Sequence, residues 1–153
     1  MKNLKIPKIL QKLKEKEIDS LIINRTDEFL NEYIPSDAER LFWATNFSGS
    51  AGRAIINQNI STLFVDGRYT FQAKEQTDEN VISLSHWNDF FKKLDKIFKK
   101  NKCIGLDPKL HSIEEVIKII ELAKKNETKL HFTSPNLIDE LWQNKPKRQY
   151  SII

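Results

Sequence analysis

Apolar residues recur along this 153-residue chain with two different periods, and the alternation between them sets the expected elements. In residues 7–16, Ile9, Leu10 and Leu13 share one helical face behind Pro7, whose missing amide costs nothing in a first turn. Residues 18–23 follow, and their unbroken Leu21-Ile22-Ile23 run predicts a strand buried on both faces. A polar loop carrying Arg25, Asp27, Glu28 and Glu32 fills residues 24–33. Ser36 and Glu39 then have the spacing of a capping box, in which each side chain satisfies a free amide, for a helix with Leu41, Phe42 and Trp43 that ends near Asn46. The apolar runs 54–56 and 63–65, parted by Asn57-Gln58-Asn59, predict a β-hairpin, and residues 68–76 a helix capped by Asp66.

Beyond the hairpin, strands are expected at 81–84, 102–106 and 128–132. Between them, residues 88–99 place Phe90, Phe91, Leu94, Ile97 and Phe98 on one helix face. Ser112 and Glu115 form a second candidate capping box, for a helix expected to bury Ile113, Val116, Ile117 and Ile120. Ser134-Pro135-Asn136 opens a last short helix with Leu137, Ile138, Leu141 and Trp142. Strands alternating with helices, plus one hairpin, predict an α/β domain over residues 1–143: a mixed β-sheet with helices on both faces. Residues 144–153, polar and proline-containing, read as a linker at a domain boundary.

Composition narrows the function without assigning it. The absence of a long apolar run argues against a membrane span or signal peptide and for a cytoplasmic protein. The net charge of +4 is spread over lysines that alternate with glutamates or lie on polar helix faces, a pattern of solvated surface that argues against a nucleic-acid partner. Cys103 is the single cysteine, so no internal disulfide forms, and its apolar setting predicts an inert thiol. The three histidines, His86, His111 and His131, are scattered and read as ordinary loop or strand residues.

Candidate chemistry gathers between Phe47 and Gln72, which hold three of the four glycines, Gly49, Gly52 and Gly67. In a chain so poor in glycine, each is expected where φ is positive or something approaches closely. Ser48-Gly49-Ser50-Ala51-Gly52 is neither a nucleophile elbow nor a phosphate loop, and reads as small residues at a tight approach between hairpin and helix. Asp27, Glu28 and Glu32 lack imidazole partners and read as a solvated loop; Tyr69 and Phe71 read as core. For Asp66 and Arg68 the residues alone leave two roles open: capping the helix and pairing with each other or with Glu32, or projecting Arg68 beyond the sheet end toward a ligand.

Three ordered motifs bear on that choice: Asp27-Glu28-Phe29-Leu30-Asn31-Glu32-Tyr33-Ile34-Pro35, then Arg40 through Phe47-Ser48-Gly49-Ser50-Ala51-Gly52, then Asp66-Gly67-Arg68-Tyr69. Their order and spacing resemble the N-terminal, creatinase-type domain of cytosolic Xaa-Pro aminopeptidases, the pita-bread metallopeptidase family. Asn46 departs from the glycine usual there. The resemblance implies a creatinase/prolidase N-terminal fold with a ribonuclease H-like motif. It also implies a parent enzyme that removes the first residue from peptides with proline second, and a homodimer. The catalytic residues and two divalent metals, manganese in the family's usual form, would lie in a C-terminal pita-bread domain, so none is placed here and this piece alone should be inactive. Arg68 matches the family's substrate-contacting arginine, and the domain would supply a wall of the substrate cleft and inter-domain contacts. The alternative is a creatinase-like binding module for peptide or protein partners, without enzyme activity.

Overall fold

The computed structural model describes residues 2–150; of the expected linker, residues 151–153 lie outside the described residues. The chain forms α1 (Lys5–Glu15), β1 (Ser20–Asn24), α2 (Arg40–Thr45), β2 (Gly52–Asn57), β3 (Ser61–Val65), α3 (Thr70–Gln76), β4 (Ile82–His86), α4 (Phe90–Phe98), β5 (Cys103–Leu106), α5 (Ile113–Lys125), β6 (Lys129–Phe132) and α6 (Leu137–Leu141). Short 3-10 turns lead into α3 at Gly67–Tyr69 and into α4 at Trp87–Asp89.

The six strands make one sheet in the order β4-β3-β2-β1-β5-β6. β2 is antiparallel to both β1 and β3, whereas β3–β4, β1–β5 and β5–β6 are parallel. The carboxyl ends of five strands and the amino end of β2 therefore meet along one edge of the domain, the usual location of ligand sites in α/β sheets.

Side chains alternate across the sheet and supply two cores. Leu21, Ile23, Ala54, Ile56, Leu63 and Val65 pack under α1, α2 and α6, while Ile22, Ile55 and Phe64 pack against Phe90, Leu94 and Phe98 of α4 and Ile119 of α5. All five residues of β1 are buried, as its apolar run predicted. Helices thus cover both faces, and the mixed sheet with its central hairpin is the one expected.

Several local expectations need correction. Ser36 makes no capping bond, and Glu39 does not reach back to it; Glu39 is drawn instead to Arg25, 2.8 Å away. α5 presents a different face. Ile119 and Ala123 are buried, whereas Ile113 is 79% exposed and Ile117 is also exposed. Glu115 explains the rotation: it turns inward to Arg53 and His111, and the residues at i+4 and i+8 then lie beneath it. Phe71 is not core either; it stands 86% exposed on α3. Residues 144–150 form no regular element but are tied down, with Lys145 pairing with Asp139 and Arg148 with Glu28 and Asp37.

Candidate functional site

Arg68 sits where β3 ends and α3 begins. Asp66 leaves the strand in an extended conformation, and its Oδ1 accepts the Arg68 amide at 2.9 Å, capping the turn as expected. The same oxygen accepts Arg68 Nε at 3.0 Å. The pairing lowers the Asp66 carboxyl, chiefly through the Arg68 amide, and raises the Arg68 guanidinium, chiefly through Asp66. Both local roles, cap and ion pair, are therefore realised. They leave the Arg68 side chain 72% exposed and anchored at Nε, with Nη1 and Nη2 free of hydrogen-bond partners among the described residues. An anchored fork with two free donors is suited to one peptide carbonyl or carboxylate.

The glycines around it divide by role. A Cβ on Gly49 would meet Phe47 Cε2 at 2.8 Å and Cζ still closer, and one on Gly52 would stand 2.8 Å from Phe47 Cε1 and 3.0 Å from Leu41 Cδ2. These two exist for the tight approach that the sequence suggested. Gly67 has open space around it and no positive φ, so the expectation that each glycine marks a positive φ or a close approach is corrected there. Asn46 supplies the one left-handed residue here, φ 67°, closing α2. Phe47 packs edge-on against Tyr69, whose hydroxyl lies 2.6 Å from Ser50 Oγ, so the small-residue segment buttresses the turn that carries Arg68.

The loop between β1 and α2 flanks this corner. Arg25 Nη1 donates to the Glu32 carbonyl at 2.7 Å and the Ser50 carbonyl at 3.1 Å, joining the loop to the glycine segment. Asp27 is not solvated as expected; it is 3% exposed and organises the turn. Phe29, Tyr33 and Phe71 all face solvent.

A second polar cluster lies nearby at the strand ends, and nothing in the sequence joined its members. The Arg53 guanidinium is stacked 3.9 Å from the Trp87 ring centroid and 4.4 Å from that of Phe90, and it pairs with Glu115. Glu115 also meets His111 Nδ1 at 3.3 Å, and Asn24 Nδ2 is 3.0 Å from the same nitrogen. His111 is thus a buried member of a polar knot rather than an ordinary loop residue. Burial alone would raise the Glu115 carboxyl, but the His111 hydrogen bond and the Arg53 charge outweigh it and hold the group below its usual value. The knot ties β1, β2, α5 and the turn before α4 together, though Asn24 Oδ1 and Arg53 Nε are buried without a hydrogen-bond partner among the described residues. Cys103 is half-buried and its thiol is pushed up by burial, in keeping with an inert group. Among the described residues, no group of three His, Cys, Asp or Glu side chains could hold a metal ion, and no helix is long and apolar enough to cross a membrane.

Comparison with known proteins adds the following. Residues 5–141 match the family model described as the creatinase/prolidase N-terminal domain. A probable Xaa-Pro aminopeptidase P from Penicillium rubens is 33% identical over 153 aligned residues, covering 94% of this chain and 24% of the relative. The corresponding protein of Coccidioides posadasii is 32% identical over 90% of this chain and 22% of its own length. The chain therefore spans about a quarter of the curated relatives it matches. Among solved structures, an X-prolyl aminopeptidase from Caenorhabditis elegans, described as a cytosolic enzyme with a di-nuclear active site, superposes with a TM-score of 0.86 at 24% identity. That match covers 96% of this chain and 26% of that one. The N-terminal domain of a cytoplasmic peptidase from Mycobacterium tuberculosis, solved by itself, gives 0.71 at 16% identity over 92% of this chain and 99% of its own.

Proposed function

Because the chain belongs to the creatinase/prolidase N-terminal domain family, we propose that it is the N-terminal, non-catalytic domain of a metal-dependent Xaa-Pro aminopeptidase and lends the Arg68 corner to the substrate cleft. The observation that carries the reading is the state of Arg68: anchored through Nε and its own amide to Asp66, with its terminal nitrogens free at the carboxyl end of the sheet. An amide before proline has no N–H, so a protein recognises that bond through acceptor oxygens and the ring. A fork of fixed donors answers that chemistry. Asp66 sets its direction, and the Ser50–Tyr69 and Phe47–Tyr69 contacts hold the turn beneath it.

The hydrolytic step belongs, in this reading, to a further domain whose two divalent metals, manganese in the family's usual form, would activate the attacking water. The described residues offer no ligand cluster for those metals, and no step through them is assigned to this chain. Homodimerisation of the parent and a cytoplasmic location belong to the same proposal. In the full-length enzyme, Arg68→Ala should raise KM for proline-second peptides about tenfold with metal content unchanged. Unchanged kinetics would remove Arg68 from the cleft. The 153-residue chain alone, given manganese and an Xaa-Pro peptide, should release no amino acid. A full-length protein that binds such peptides without cleaving them would instead identify a binding module.

A further inference from the structure

The loop between β1 and α2 is built more firmly than an exposed connection requires. It turns two rings, Phe29 and Tyr33, to solvent, and Leu30 between them sits at φ 59°. A left-handed conformation is unfavourable for a bulky side chain and persists only where its surroundings impose it. Asp27 does so from within, accepting the Phe29 and Asn31 amides at 3.0 Å each and Asn31 Nδ2 at 3.1 Å. Arg25 grips the far end through the Glu32 and Ser50 carbonyls.

The third hold comes from a distant part of the chain. Arg148, in the segment after α6, donates from Nη1 and Nη2 to the two carboxylate oxygens of Glu28, and its Nε lies 3.1 Å from Asp37 Oδ2. One guanidinium thus bridges two carboxylates, of which Asp37 is buried. Among the described residues Arg148 is the sole cation paired with Glu28 or Asp37.

From this geometry we infer that Arg148 is a positioning residue: by bridging Glu28 and Asp37 it holds the loop of residues 25–33 against the glycine segment that buttresses the Arg68 turn. The path is continuous. Arg25 joins Glu32 to Ser50, Ser50 meets Tyr69, and Tyr69 adjoins Arg68. The consequence for peptide binding rests on the proposed function, whereas the ordering of the loop does not.

Two measurements separate these claims. In the 153-residue chain, Arg148→Ala should speed hydrogen exchange of the Phe29 and Asn31 amides about tenfold, while amides of β1 and β5 keep their rates. Arg148→Lys, which keeps the charge but lacks the planar fork, should fall between. Lys147→Ala, an exposed neighbour, should match the wild type. Unchanged exchange at Phe29 and Asn31, or equal acceleration in β1 and β5, overturns the inference. In the full-length enzyme, Arg148→Ala should raise KM for proline-second peptides about tenfold and leave kcat within about twofold. An unchanged KM there, with Arg68→Ala impaired, also overturns it. If Arg68→Ala is silent while the loop exchange rises, the cleft reading fails and the latch stands.

Discussion

Replacing Gly49 with alanine tests the claim that the glycine segment is architecture rather than a ligand cradle. The added methyl would stand 2.8 Å from Phe47 Cε2 and nearer to Cζ, against a ring that is fully buried. Phe47 cannot withdraw freely, because Tyr69 packs edge-on with ring centroids 5.9 Å apart and Ser50 holds the Tyr69 hydroxyl. Overfilling a packed core costs about 1–3 kcal/mol, which for a chain of this size lowers the melting temperature by about 2–12 °C. Gly67→Ala is the internal control: its methyl meets nothing within 4 Å and its φ is ordinary, so a loss of unfolded-state freedom should stabilise by about 0.4–1 kcal/mol. Thermal unfolding followed by near-ultraviolet circular dichroism, with the tryptophans as reporters, measures both. Combining Gly49→Ala with Phe47→Leu should cost less than the sum of the single changes, because the shorter side chain vacates the contested space. A Gly49→Ala chain melting at or above the wild type would refute the packing argument, and equal effects of the two alanines would refute the division of roles.

Acid stability should report the buried knot. The Glu115 carboxyl is held low in the folded chain, so its contribution is complete above the unfolded-state value of about 4.3 and is lost as the pH falls through the folded value. The stability gap between wild type and Glu115→Gln, from urea unfolding, should therefore be constant at neutral pH and narrow below about pH 4; a gap independent of pH would sink the assignment. The rotation of α5 is checked by two substitutions: Ile119→Ala should cost about 2–5 kcal/mol and Ile113→Lys less than about 0.5 kcal/mol in the same assay, and the reverse ranking would mean the helix faces are misassigned.

The sheet and its helices were legible because their signals are local. The Leu21-Ile22-Ile23 run needed burial on both faces, and α4 repeats its apolar residues at one helical spacing. Asp66 was legible through cap chemistry. What escaped depends on partners far apart in the chain. Glu115 has the spacing of a capping residue, and only the fold brings Arg53 and His111 to it, turning α5 away from the expected face. Glu39 was lost to Arg25 in the same way, so the capping box at Ser36 did not form. Phe71 carries an apolar side chain in a helical segment; pattern alone could not say that its face of α3 meets no neighbouring element. Asp27 reads as a loop acid in sequence, and its burial follows from the turn it organises.

The place of β1 in the sheet bears on how the chain folds. On one side β1 pairs with the nearby hairpin, but on the other its neighbour is β5, with Ser20 opposite Ile104 and Leu21 opposite Gly105. Between β1 and β5 in the chain lie the hairpin, the far-edge strand β4, and α4, which carries the chain back across the face. The seam at the middle of the sheet therefore closes only after a long loop has lost its freedom, and non-local parallel pairings of this kind are slow to form. On the ribosome, β1 presents an unpaired central edge until β5 has emerged. During that interval the half-built sheet is most open to pairing with another chain.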